Sequence, residues 1–98
     1  MSEPVVLISA FEVPAGEAEA FIAAWERTRD YLRTQPGYID TALHQSLAPD
    51  AEFQFVNVAH WRSAAEHSAA MRSPGLREAT VGMAGYRPHP ALYQVVRT

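Results

Sequence analysis

The stretch FVNVAHWRSAAEHSAAM, residues 55–71, places an amide, an indole and two imidazoles within a short length of chain. Asn57 carries both a hydrogen-bond donor and an acceptor, Trp61 has a flat apolar ring with one N–H donor, and His67 has the side chain that titrates nearest neutral pH. Such groups can bind a flat aromatic molecule, remove a proton from it and stabilise the resulting anion. They also occur in the ordinary core and surface of small domains, so both interpretations stay open.

The local pattern predicts how these three side chains are positioned. Residues 52–61 alternate as a strand, with Asn57 and Trp61 on the same side as Phe53, Phe55 and Ala59. An unpaired amide among such neighbours costs about 1–3 kcal/mol, so Asn57 needs a partner, either structural or a ligand. After the strand, Ser63 and Glu66 form a predicted capping box that begins a helix of about ten residues, and His67 lies on that helix.

The remaining elements follow from the same periodicities. The sequence predicts strands at residues 4–13, 38–47 and 89–97, a helix from Glu17 to the stop at 35–37, a turn at 48–50, and a short helical segment at 76–84. Within the second strand, Tyr38, Asp40, Ala42, His44 and Ser46 are predicted to share one side. The aromatic residues Phe21, Trp25, Phe53 and Phe55 are predicted core residues that would also suit a flat cavity.

The order of the elements is β-α-β-β-α-β, which predicts a single α+β domain of the ferredoxin-like type over residues 1–98. Such a domain has an antiparallel four-stranded sheet with two helices on one face. Most predicted strands carry apolar groups on both faces, so the second face also requires cover. We therefore expect a homodimer whose two sheets pack face to face.

The composition excludes several classes of function. The net charge of −3 without a basic cluster argues against nucleic-acid and anionic-membrane partners. The chain has no cysteine, no apolar run of the ~20 residues that a membrane span needs, and no signal-peptide pattern at its start. A glycine-rich phosphate loop and metal-ligand spacing are also missing from the sequence. We expect a cytoplasmic protein that uses no cofactor.

Three segments, PGYIDTALHQS, FVNVAHW and SPGLREA, carry a family resemblance. In their order and spacing, the whole chain resembles the antibiotic biosynthesis monooxygenase family of small dimeric α+β barrels. It looks most similar to the cofactor-independent monooxygenases of aromatic polyketide biosynthesis. The resemblance implies oxidation of a polycyclic phenol or anthrone to a quinone by molecular oxygen, without metal or flavin, in a homodimer.

The resemblance also implies roles for particular residues. Asn57 and Trp61 match the Asn and Trp of strand three in those enzymes, His44 matches a His on strand two, and Arg77 matches the Arg of a Leu-Arg-Glu-Ala segment. His67 stands where those enzymes have a Tyr, six residues after the Trp. We expect His44 or His67 to act as the base and Arg77 to stabilise a phenolate or enolate. A solvated His44 and a surface Arg77 are the structural alternatives.

Other functions of the same fold remain as alternatives. The haem-degrading branch requires an Asn on strand one, where this chain has Ser9, and a helix-two His that lies three residues beyond His67. Haem degradation is therefore disfavoured, and haem binding through His67 remains an alternative. Small quinol oxidases carry a His where this chain has Ala70. A non-catalytic aromatic-ligand binder or a cyclase-like partner is the last alternative.

Overall fold

The computed structural model describes residues 3–98 as a four-stranded sheet with helices on one face. The elements are β1 (Val5–Glu12), α1 (Ala18–Leu32), β2 (Tyr38–Gln45), β3 (Phe55–Trp61), α2 (Ala64–Met71), α3 (Leu76–Ala79), a 3₁₀ turn (Val81–Met83) and β4 (Arg87–Tyr93). The strands lie in the order β2-β3-β1-β4, and every neighbouring pair is antiparallel. The predicted ferredoxin-like α+β architecture is confirmed. None of the helices in this described range is long and apolar enough to cross a membrane.

The buried core between sheet and helices is divided into two clusters. In the first, the ring of Phe21 on α1 is fully buried, with its centroid 4.9 Å from those of Phe11 and Phe55 on the sheet. The second cluster surrounds Trp61 and includes Val5, Ala59 and Ala70. Full burial of a large apolar side chain contributes about 1.5–3 kcal/mol, so these two clusters fix the helices on the sheet.

The connection between β2 and β3 is longer than the sequence predicted. The strands end at Gln45 and begin again at Phe55, whereas the predicted bounds were 47 and 52. Inside the loop, the Gln54 side-chain amide donates to the backbone carbonyls of Ala48, Pro49 and Ala51 at 3.0–3.2 Å. These bonds hold the loop closed in place of a continued strand ladder. Phe53 lies outside β3 and outside both core clusters, with its ring 5.0 Å from that of His89.

An irregularity at the start of β2 changes the predicted side of Tyr38. The register against β3 shifts between Tyr38 and Asp40, as a β-bulge does. Tyr38 therefore packs edge to face against Trp61 on the inner side, with ring centroids 5.6 Å apart, and does not share the outer side with Asp40. The preceding Gly37 has φ +91, and a Cβ there would meet Glu66 at 2.5 Å. Only glycine suits this turn.

The last strand is displaced from its predicted range. It spans Arg87–Tyr93, whereas the sequence predicted 89–97. Its partners on β1 run from Glu12 back to Val6, so few β1 positions are left to pair with residues beyond Tyr93. Pro88 and Pro90 are tolerated because β4 is an edge strand and pairs on one side only.

The predicted start of α2 is confirmed. The Ser63 hydroxyl accepts a hydrogen bond from the Glu66 backbone N–H at 3.1 Å. The Glu66 carboxylate bonds to that hydroxyl and to Arg62. This cap fixes where the helix leaves β3, and so determines the position of His67 relative to Trp61.

Candidate active site

A cavity of about 420 Å³ lies between the inner face of the sheet and the helices. It takes wall residues from both core clusters, including Phe11 from one and Trp61 from the other. Most of the wall is apolar, and four aromatic side chains line it: Phe11, Trp25, Tyr38 and Trp61. Its size and composition are those of a small-molecule pocket.

Asn57 points into this cavity with its amide orientation fixed by two neighbours. Its Oδ1 accepts hydrogen bonds from Trp25 Nε1 at 3.1 Å and from Thr41 Oγ1 at 2.7 Å. Because an indole N–H can only donate, the amide atom that meets it must be the oxygen. Nδ2 donates to none of the described residues, so Asn57 presents a donor to the cavity. Of the donor and the acceptor that the Asn57 amide carries, the acceptor is thus occupied within the protein.

Trp61 and His67 meet at the inner end of the cavity. Their rings pack edge to face, with centroids 5.4 Å apart and planes at 81°. Trp61 Nε1 and His67 Nε2 are both buried, and neither has a hydrogen-bond partner among the described residues. A buried polar group without a partner costs about 1–3 kcal/mol, which a ligand with suitable polar atoms would recover.

The protonation state of His67 follows from its surroundings. Burial lowers the pKa of the His67 imidazole below its usual value of 6.5. The neutral form therefore predominates at neutral pH and persists to a lower pH than in an exposed histidine. A neutral imidazole is the form that accepts a proton, so His67 has the state that a general base requires.

The structure does not bring His44 and Arg77 to this cavity. His44 is exposed on the opposite face of the sheet, with Nδ1 3.3 Å from the Val56 carbonyl oxygen. Arg77 is exposed on α3, although its neighbour Leu76 lines the cavity. Asn57, Trp61 and His67 are the predicted site residues that the fold places together. Catalytic roles for His44 and Arg77 remain predictions.

Among the lining residues that were not candidate site residues, Trp25, Thr41 and Arg29 make polar or cation–π contacts at the site. Trp25 was predicted as a core residue that would also suit a flat cavity; it lines the cavity, and its bond to Asn57 was not predicted. Strand alternation predicted that Thr41 and Leu43 share one side of β2. In the structure that side faces the helices, because Leu43 packs against the core. Arg29 lies one turn after Trp25, with its guanidinium carbon 5.2 Å from that indole ring. One helical turn of spacing was the available signal for Arg29.

A second hollow, of about 460 Å³, lies among the loops 13–18 and 45–51. Its walls contain no arginine, histidine or tryptophan. Among residues 3–98, no group of three His, Asp or Glu side chains converges as metal ligands would. The inner cavity, in contrast, is lined by an imidazole, a guanidinium and two indoles.

Comparisons with known proteins agree with this architecture. Residues 4–81 match the sequence model of the antibiotic biosynthesis monooxygenase family. A protein of Shewanella loihica, to which monooxygenase activity is provisionally ascribed, is 46% identical over 100% of this chain and 99% of its own, with a TM-score of 0.89. No functionally curated protein matches the chain significantly.

Two further solved structures are similar in fold at lower identity. SnoaB, a cofactor-independent oxygenase from Streptomyces nogalater, is 21% identical over 99% of this chain and 97% of its own, with a TM-score of 0.86. A heme-degrading protein from Mycobacterium tuberculosis is 24% identical over 100% of this chain and 97% of its own, with a TM-score of 0.72. Since the family match spans most of the sequence and a relative with 46% identity covers all of it, this chain belongs to the antibiotic biosynthesis monooxygenase family.

Proposed function

We propose that the protein is a cofactor-independent monooxygenase that oxidises a polycyclic phenol or anthrone to a quinone with molecular oxygen. The observation that carries this proposal is the convergence of Asn57, Trp61 and His67 on one apolar, aromatic-walled cavity. The walls suit a flat ring system, and the polar atoms suit an oxygen substituent. The likeness to SnoaB supports the fold on which such a reaction is possible.

The first task of such an enzyme is to make the substrate an electron donor. Ground-state oxygen is a triplet and reacts slowly with closed-shell molecules, whereas the anion of an anthrone gives up an electron readily. In the proposed reaction, His67 takes a proton from the reactive carbon. Asn57 Nδ2 and Trp61 Nε1 donate hydrogen bonds to the oxygen on which the negative charge develops.

The second task is to complete the oxidation without an external reductant. The carbanion transfers an electron to oxygen, and the two combine to form a carbon–oxygen bond to a peroxide. The peroxide takes a proton from protonated His67. Loss of the remaining carbon-bound proton breaks the O–O bond, leaving a carbonyl and water. One oxygen atom enters the quinone, the other leaves as water, and His67 is neutral again.

Oxygen uptake by the chelator-treated protein with dithranol, a simple anthrone, tests this proposal. We expect one oxygen molecule consumed for each quinone formed, and a rate reduced about 10²–10⁴-fold in His67→Ala, the range for loss of a general base. His60→Ala is the matched control, because His60 is an exposed imidazole on the outer face. Uptake no faster than the spontaneous rate would contradict oxygenation of this substrate class and favour a non-catalytic binder of aromatic ligands.

Haem binding is a second candidate, because His67 lines the cavity, its buried Nε2 has no partner among the described residues, and imidazole commonly ligates haem iron. The fit is incomplete: haem carries two propionates, and Arg29 is the only cation among the described lining residues. A hemin titration discriminates between the candidates. Under the proposed function we expect no His67-dependent Soret band. A sharp Soret band that is absent in His67→Ala and present in His60→Ala would favour haem binding.

A further inference from the structure

The lining of the cavity has an uneven distribution of charge. Among the described residues that line it, Arg29 alone carries a permanent charge, and there is no carboxylate. Arg29 is partly buried, although arginine side chains are mostly exposed. It therefore places a permanent positive charge at a cavity that is otherwise largely apolar.

The Arg29 guanidinium is held at the cavity and is only partly neutralised. It lies 5.2 Å from the centre of the Trp25 ring, a cation–π arrangement, and its side chain is 28% exposed. Its Nε and Nη2 both donate to a single oxygen of Asp30. The same Asp30 oxygen also pairs with Arg33 at 3.3 Å. Two guanidinium groups thus share one carboxylate, and the cluster keeps a net charge of about +1.

The uncharged polar atoms of the lining point to the same kind of ligand. Asn57 Nδ2 is available only as a donor, since Oδ1 is occupied, and Trp61 Nε1 can only donate. The hydroxyls of Thr28 and Thr80 are turned to backbone carbonyls. The amide of Asn57 and the indole of Trp61 are thus the groups with an N–H left to donate, and they match a ligand with acceptor oxygens.

The charge of Arg29 also acts on a phenol in the cavity wall. The pKa of Tyr38 is raised, first by burial and then by Asp40, whose carboxylate pairs with His60 on the outer side. Arg29 and Arg33 act in the opposite direction and lower it. A cation that favours the ionised form of a phenol in the wall would favour an ionised oxygen on a bound ligand in the same way.

We propose that Arg29 is a specificity-determining residue that selects aromatic ligands bearing an anionic oxygen, as a carboxylate or phenolate, at the end of the ring system nearest Arg29. This inference rests on the proposed function in one respect, that the ligand is a flat aromatic molecule. Asn57 and Trp61 would then hold the neutral carbonyl part of the ligand, while Arg29 binds the charged substituent by charge-assisted hydrogen bonds.

Equilibrium dialysis with two anthraquinones tests the assignment. Rhein and chrysophanol share the same dihydroxyanthraquinone rings and differ in bearing a carboxylate or a methyl group. We expect the wild-type protein to bind rhein about tenfold more tightly, the factor that one charge-assisted hydrogen bond supplies. Arg29→Gln should abolish the preference while still binding chrysophanol, which shows that the cavity is intact.

Arg27→Gln is the matched control, since Arg27 is an exposed arginine on α1 that neither lines the cavity nor pairs with Asp30. It should retain the preference for rhein. The assignment is overturned if wild-type protein binds both compounds equally, or if Arg29→Gln keeps the preference. A protein that prefers rhein but consumes no oxygen with dithranol would sustain the role of Arg29 and contradict the oxygenase. Oxygen uptake without a preference for rhein would contradict the role of Arg29 alone.

Discussion

Exchange of Asn57 for alanine is expected to lower kcat for anthrone oxidation by about 10²–10³-fold, the loss typical for one donor at a developing oxyanion. The reason is geometric. Trp25 and Thr41 occupy Oδ1, so Nδ2 is the atom that can stabilise negative charge in the cavity. Initial rates of quinone formation, measured against the spontaneous rate, give the ratio directly. Gln54→Ala is the matched control, because its amide closes the loop 46–54 and does not line the cavity.

The same geometry predicts smaller effects for the two residues that orient the amide. Trp25→Phe and Thr41→Val each remove one of the bonds that hold Oδ1, and the amide then turns more freely. We expect each to reduce kcat about tenfold, roughly the value of one neutral hydrogen bond. Both leave Nδ2 in the protein, so neither should equal the loss in Asn57→Ala. An Asn57→Ala variant with a rate within about twofold of wild type would contradict the assigned donor role.

Local patterns were sufficient to predict the part of the site that lies close together in the chain. Strand alternation places Asn57 and Trp61 on one side of β3, and the Ser63 cap fixes the start of α2, which brings His67 against Trp61. These contacts depend on short chain segments with known geometry. Their proximity was therefore predictable before the fold was known.

Contacts between distant segments were not predictable in this way. The bond from Trp25 to Asn57 joins residues 32 positions apart and depends on how α1 is rotated over the sheet. The inward side of Tyr38 depends on a bulge that alternation does not reveal. Arg77 lies on a helix of four residues, too short for periodicity to indicate its exposed side. The outer position of His44 was predictable, because strand alternation places it on the opposite side of β2 from Leu43, which faces the core.

The outer face of the sheet carries an apolar band that no described residue of this chain covers. Aligned across all four strands are Ala42, Val58, Ile8 and Ala91. Val6, Ala10 and Val56 extend the band to either side, and the polar residues Asp40, His44, His60 and His89 lie around it. An apolar centre with a polar rim is the composition of a protein–protein interface. We propose that a second copy of the chain covers this face, sheet against sheet.

Placing a charge at the centre of this band should separate the two subunits. We expect wild-type protein to sediment as a dimer at micromolar concentration and Val58→Arg to sediment at the mass of one 10.8 kDa chain. The physical reason is that an unpaired guanidinium buried between two apolar faces costs several kcal/mol, more than the interface can offset. Ala23→Arg adds the same charge to the exposed surface of α1 and should remain dimeric. A monomeric wild-type protein would contradict the proposed interface.

The cavity lies on the other side of the sheet from this interface. If Val58→Arg is monomeric and still binds chrysophanol, each subunit carries its own complete site.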